Sequence, residues 1–301
     1  MSKKKIVVIG SSNTDMVIKA DRLPVPGETI LGGTFIMNAG GKGANQAVAA
    51  ARLGGETLFI AKTGNDVFGK QSVQQYQKEN IRTAYIFTDA DQPSGVALIT
   101  VDAQGENCIV VASGANGTLS PADLDRAKAE IETAGWVLMQ LEIPVETVLH
   151  AARTAHESGV CVILNPAPAR TLPEELFQYL DMIVPNEKEA EMLSGVQVCG
   201  WESAKTAAGI LSAKGVDIVV ITLGSLGALI KEGDRYYEIA ATPVKAVDTT
   251  AAGDTFCGAL CVGLSEGKSL ADSVRFACKA AAISVTRMGA QSSIPYRNEL
   301  N

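Results

Sequence analysis

Short apolar runs rich in β-branched residues recur along the chain and alternate with stretches whose apolar positions repeat at helical spacing. Residues 5–9, 57–61, 136–141, 161–165, 182–185 and 218–222 read as strands. Residues 144–158 and 202–214 read as amphipathic helices between them. This alternation predicts one α/β unit over residues 1–301, a doubly wound, mainly parallel central sheet with helices on both faces. Ligands bind such sheets at the carboxyl ends of the strands. The polar residues that directly follow strands are therefore the candidate chemistry: Asn13 and Asp15, Glu142, Asn165, Asn186 and the run 222–224.

Two segments depart from the alternation. Residues 16–38 hold extended runs split by Pro24, Pro26 and Gly27, with Gly32 and Gly33 further on. Residues 95–111 read as a hairpin, with apolar runs at 95–101 and 107–111 around a polar turn. Together they predict a small antiparallel sheet outside the main one, serving as a lid, an oligomer surface or both.

Charge narrows the function classes. The chain has 26 basic and 33 acidic residues, a net of −7, which disfavours non-specific contact with nucleic acid or anionic membranes. Binding an anionic ligand then needs local devices, such as backbone N–H groups or metal ions. Three lysines precede the apolar run 6–9, but a signal h-region needs about 7–15 apolar residues. No run approaches the roughly 20 apolar residues of a membrane span, so a cytoplasmic protein is expected. Cysteines 108, 161, 199, 257, 261 and 278 form no CxxC pair and read as reduced thiols, most of them acting as small hydrophobes. His150 and His156 fall on different faces of one predicted helix, a poor metal pair. A catalytic base is therefore sought among the carboxylates.

The strongest local signal is the run from Val247 to Phe256, Val-Asp-Thr-Thr-Ala-Ala-Gly-Asp-Thr-Phe, leading into an apolar helical stretch at 256–264. Small residues before a helix let its free N–H groups approach an anion. Asp254 would sit in the first turn, either complementing the helix dipole or acting as a base beside a transferred phosphate. A second signal, Asn38-Ala-Gly-Gly-Lys-Gly-Ala-Asn-Gln46, precedes a helical run at 47–53 and lacks the P-loop order. It reads as a plain helix start or as a cradle in which Lys42 and Asn45 donate to hydroxyls. Asn13 and Asp15 suit vicinal hydroxyls, or form an Asx turn. Glu189 reads locally as a surface helix carboxylate.

The run 248–256 resembles the signature of the ribokinase family of carbohydrate kinases. The Gly-Gly-Lys-Gly-Ala-Asn-Gln stretch, Asn13-Thr-Asp15, the Gln-Leu-Glu ending at Glu142, Asn186-x-x-Glu189 and Thr222-Leu-Gly-Ser-Leu-Gly227 are similar to further family motifs, in collinear order. The resemblance implies ATP-dependent phosphorylation of D-ribose at its 5-hydroxyl. It implies Asp254 as base, the N–H groups of Ala251, Ala252 and Gly253 as an anion hole, and Asn13, Asp15, Gly41, Lys42, Asn45 and Glu142 around the sugar. Many members have glycine where Ala251 stands, and alanine fits there only with a negative φ.

On the nucleotide side the resemblance implies Asn186 and Glu189 organising Mg²⁺ and phosphate. Thr222, Gly224, Ser225, Gly227 and Gly253 would contact ATP, with Cys278 near the adenine and residues 165–169 shaping the site. Asp248, Thr250, Ser284, Arg287, Gly289 and Ser293 would hold a monovalent cation, K⁺. A homodimer through the lid is expected. A 2-deoxyribose kinase, another sugar or nucleoside kinase of the family, and a sugar-binding regulator without catalysis are the alternatives. A dinucleotide enzyme is disfavoured, because no GxGxxG follows Ile9.

Overall fold

The structure, a computed structural model, describes residues 4–300; the start of the basic N-terminal run, residues 1–3, and Asn301 lie outside the described residues. In chain order the strands are β1 (Ile6–Ile9), β2 (Asn13–Lys19), β3 (Thr34–Gly40), β4 (Thr57–Gly64), β5 (Arg82–Asp89), β6 (Gly95–Val101), β7 (Asn107–Ala112), β8 (Trp136–Met139), β9 (Cys161–Leu164), β10 (Met182–Ile183), β11 (Ile218–Thr222), β12 (Gly227–Glu232) and β13 (Arg235–Ala240). The main sheet runs β13-β12-β11-β10-β9-β8-β1-β4-β5. It is parallel from β11 to β5, and β12 and β13 add an antiparallel edge.

The β1 run is apolar throughout because both of its faces are covered. Val7 and Ile9 join one apolar layer, with Val148, Ala151 and Ala155 of the helix Val145–Glu157. Ile6 and Val8 point the other way, into a layer with Ala47 of the helix Lys42–Arg52 and Leu260 of the helix Ala252–Ser265. Three strands escape the periodicity reading for a physical reason. β5 is an edge strand that mixes Arg82, Thr83 and Asp89 with its apolar residues, and β12 and β13 form a hairpin whose outer strand is largely exposed. No helix among the described residues is long and apolar enough to cross a membrane.

The second sheet runs β3-β2-β6-β7. It corrects the expectation of a purely antiparallel sheet: β2 pairs with β6 in parallel. The two strands come from separate excursions, after β1 and after β5, that leave the main sheet in the same direction. Paired positions share a face, so Ile18, Phe35, Met37, Leu98 and Val110 lie on one side of this sheet and are exposed there. Asp15 lies on the opposite side.

Candidate active site

The helix Ala252–Ser265 begins where the run of small residues predicted, a few residues earlier than its apolar run. Asp254 is in its first turn and buried. Its carboxylate is held by two amides: Asn45 Nδ2 donates to Oδ2 at 2.9 Å and Gln46 Nε2 donates to Oδ1 at 3.0 Å. The preceding residue geometry differs from expectation. Ala251 is the N-cap and adopts φ +58°, the left-handed region, although its Cβ disfavours it. The sharp reversal into the helix imposes that φ. The Ala252 N–H is engaged by the Thr249 carbonyl at 3.2 Å, which weakens its assignment as an anion-hole donor. The Gly253 and Asp254 N–H groups belong to the first turn, whose donors find no partner inside the helix.

The second helix, Lys42–Arg52, also starts earlier than its apolar run, with Gly41 at φ +88° as N-cap. The start brings Lys42 and Asn45 towards Asp254. The Lys42 N–H donates to Glu142 Oε2 at 3.0 Å, and Ser11 Oγ donates to the same oxygen at 2.5 Å. Ser11, two residues after the end of β1, is a site residue that the motif reading missed. Burial works against the Lys42 ammonium, yet Asp254, Glu142 and Glu189 around it hold its proton affinity above the usual lysine value.

Asn13 and Asp15 do not form an Asx turn. They are alternate residues of β2, so both lie on the inner face of the small sheet. Asn116 Nδ2 donates to Asn13 Oδ1 at 2.7 Å, a partner from a short helical turn far along the chain. Burial, then the nearby charges of Glu142 and Asp254, push the Asp15 carboxyl up to about 6, with Lys42 opposing. Pro168, Arg170, Glu142 and Asn13 share the walls of an adjacent hollow.

A pocket of about 170 Å³ opens beside Asp254, walled by Lys42, Asn165, Asn186, Glu189, Thr222, Thr249 and residues 251–254. Asn186 caps the helix Glu187–Ser194 in a reciprocal capping box: Asn186 Oδ1 accepts the Glu189 N–H at 2.9 Å, and Glu189 Oε2 accepts the Asn186 N–H at 2.9 Å. Glu189 is thus a buried carboxylate and not a surface one. Burial raises its proton affinity against the lowering effect of the Asn186 hydrogen bonds and Lys42. Thr222 bridges to Asn186, and Gly224, Ser225 and Gly227 continue from it in a tight turn beyond the pocket wall. Cys278 packs into an apolar layer on the helix Leu270–Ser284, and burial pushes its thiol up to about 11.

The two halves of the predicted cation loop meet. Asp248 Oδ2 accepts the Gly289 N–H at 2.8 Å, and Asp248 Oδ1 accepts the Thr250 N–H at 2.9 Å. Ser284 and Ser293 are buried and spend their hydroxyls on the Ala281 and Ala290 carbonyls. The Arg287 side chain pairs with Glu299, leaving only its backbone for the loop. His150 pairs with Asp125 at 2.9 Å and His156 lies against Tyr179.

A strand-end cluster with a buried carboxylate at a helix start made of small residues, under a small sheet, defines a sugar-kinase class of site. The family model for pfkB family carbohydrate kinases matches residues 3–297, and the chain belongs to that family. Within the family its similarity is to ribokinases. It is 46% identical over 297 residues to the ribokinase of Haemophilus influenzae, covering 99% of this chain and 97% of the relative. The ribokinase of Mus musculus is 41% identical, over 98% of this chain and 93% of the relative. The structure of Arabidopsis thaliana ribokinase complexed with ribose and ATP superposes with a TM-score of 0.92 at 34% identity, over 100% of this chain and 98% of that one.

Proposed function

We propose that this chain uses ATP to phosphorylate D-ribose at its 5-hydroxyl. One observation carries the reading: the buried Asp254 carboxylate stands between the polar set Asn13, Asp15, Lys42 and Glu142 and the pocket lined by Asn186, Glu189 and Thr222. A sugar held on the first set presents a hydroxyl to Asp254. Asp254 takes the hydroxyl proton, the oxygen attacks the γ-phosphorus in line, and the bond to the β-phosphate oxygen breaks with its electron pair leaving on ADP. The N–H groups at the helix start, Gly253 foremost, and the Lys42 ammonium stabilise charge on the transferred group.

The donor chemistry suits two cations. Asn186 and Glu189 offer oxygen ligands and would hold Mg²⁺ directly or through water; bound there, Mg²⁺ supplies neutralisation of phosphate charge. Asp248 and Thr250, with the backbone at Ser284, Arg287 and Gly289 and with Ser293, would hold K⁺, whose charge strengthens the anion hole.

Residues 16–38 and 95–111 act as the lid, excluding water when a sugar is present. The exposed apolar side of the small sheet, from Ile18 to Val110, suits a second copy of this chain, giving a homodimer. Sedimentation at micromolar concentration checks the dimer. The ATP requirement suits a cytoplasmic location.

The reading is tested by ADP release with Mg²⁺-ATP, with and without K⁺, over D-ribose, 2-deoxy-D-ribose, fructose 6-phosphate and adenosine. Ribose is expected to give the highest kcat/KM, raised by K⁺. A second reading, preference for 2-deoxyribose, is favoured by the 38% identity to the deoxyribokinase of Salmonella typhi, and the same assay separates the two.

A further inference from the structure

Asp254 has two oxygens, and the structure treats them differently. Gln46 is fully buried and makes every hydrogen bond its amide can offer as a donor. Its Nε2 donates to Asp254 Oδ1 at 3.0 Å and to Asn165 Oδ1 at 3.0 Å, while its Oε1 accepts from Gln140 Nε2. The direction of these bonds is set at the far end. Asn165 donates through Nδ2 to the Val184 main-chain carbonyl at 2.9 Å. A carbonyl only accepts, so that end of Asn165 must be its NH₂. Its other end must then accept, and the Gln46 atom facing it must be a donor. The Gln46 amide therefore cannot reverse without breaking the Asn165 bond, although Gln140, whose Oε1 has no partner, could turn with it.

Asn45, on the other oxygen, has no such anchor. Its Nδ2 donates to Asp254 Oδ2 at 2.9 Å, and its buried Oδ1 has no hydrogen-bond partner. Turning this amide over would cost only one bond and would present an acceptor to Oδ2.

We propose that Gln46 is a positioning residue that holds Asp254 Oδ1 as a permanent acceptor, so that the substrate proton is received on Oδ2. The geometry that carries this is the polarity chain from Val184 through Asn165 and Gln46 to Asp254. During transfer the hydroxyl O–H bond breaks and an Oδ2–H bond forms. The Asn45 amide then turns so that its free oxygen accepts the new O–H. The anchored amide also fixes the carboxylate plane, which sets the approach angle of the hydroxyl. The inference rests on Asp254 being the base.

The test uses the full-length protein and two near-isosteric variants. Gln46→Met removes the donor and keeps the bulk. The kcat for ribose phosphorylation should fall by about 10–100-fold, the range for losing a hydrogen bond to a charged group at a positioned base. The KM for ribose and the affinity for ADP should stay within about threefold, since Gln46 touches neither. Gln46→Glu keeps the shape but replaces the donor by an acceptor at neutral pH. Its kcat should be low at pH 8 and rise, relative to the parent, as the introduced carboxyl is protonated towards pH 6. A packing role would produce neither the kcat-only loss nor that reversal. If Gln46→Met fails to fold by circular dichroism, Asn165→Ser, which removes the anchor and spares Gln46, should lower kcat by several-fold with unchanged KM. Unchanged kcat in the folded variants, or loss confined to KM, overturns the inference. A parallel Asp254→Asn measurement keeps the cases apart: if that variant retains full kcat, the base assignment fails and not merely the role of Gln46.

Discussion

The carboxylate of Asp15 occupies the space that a Cβ on Gly40 would need. Gly40 ends β3 beside Asn13 of β2, so the register of the small sheet sets Asp15 where it faces Glu142, Asp254 and Lys42. Gly40→Ala should push the Asp15 side chain out of this position. A sugar KM raised by about tenfold or more, the loss expected when a charge-assisted hydrogen bond is misplaced, is predicted, with kcat changed less. Steady-state kinetics in D-ribose checks it.

Asp15 also predicts a pH dependence. Its carboxyl titrates at about 6 in the folded chain against an ordinary value of 3.8. The folded state therefore binds this proton more tightly than the unfolded state. The stability Asp15 contributes is complete below about pH 4 and is lost as pH rises through about 6. Asp15→Asn should raise the neutral-pH stability of the ligand-free protein by roughly 1–3 kcal/mol, while weakening sugar binding. Urea unfolding at pH 5 and pH 7.5 reads the first effect, because the gain should be larger at the higher pH. If the ionised form accepts the sugar hydroxyls, the KM for ribose should also rise below about pH 6.

Ala251 sits at φ +58°, where a Cβ costs about 1–2 kcal/mol. Ala251→Gly removes that strain but adds backbone freedom to the unfolded chain, worth up to about 1 kcal/mol. The net should be a small gain, with Tm higher by about 1–3 °C. Activity should be retained within about twofold. A lower Tm would mean that the Ala251 methyl contributes packing that outweighs its strain.

The parallel main-sheet strands β1, β4 and β8 to β11 were legible because both their faces are covered, so they appear as unbroken apolar runs such as Ile6–Ile9. β12 and β13 were not, because a hairpin at a sheet edge needs few apolar residues on its outer side. In the site, Asp254 and Lys42 were legible from small residues before a helix, whereas Glu189 read locally as a surface carboxylate and was drawn to the site only by the family resemblance. The environment of Asp254 was not legible. Gln46 and Asn45 reach it across more than 200 residues of chain, and Asn165 reaches Gln46 across 119. Nothing in the local spacing of Asn45 and Gln46 distinguishes the anchored amide from the free one. The left-handed Ala251 was missed for a different reason. Residue preference argues against that φ, and the tertiary reversal into the helix overrides it.

The most direct test of the central claim is the kcat of Asp254→Asn with saturating D-ribose and Mg²⁺-ATP. Asparagine preserves the size of the side chain and cannot take the hydroxyl proton. The kcat should fall by about 10²–10⁴-fold, the usual contribution of a positioned general base, with ribose affinity within about tenfold of the parent. A kcat within a few-fold of the parent would contradict Asp254 as the base.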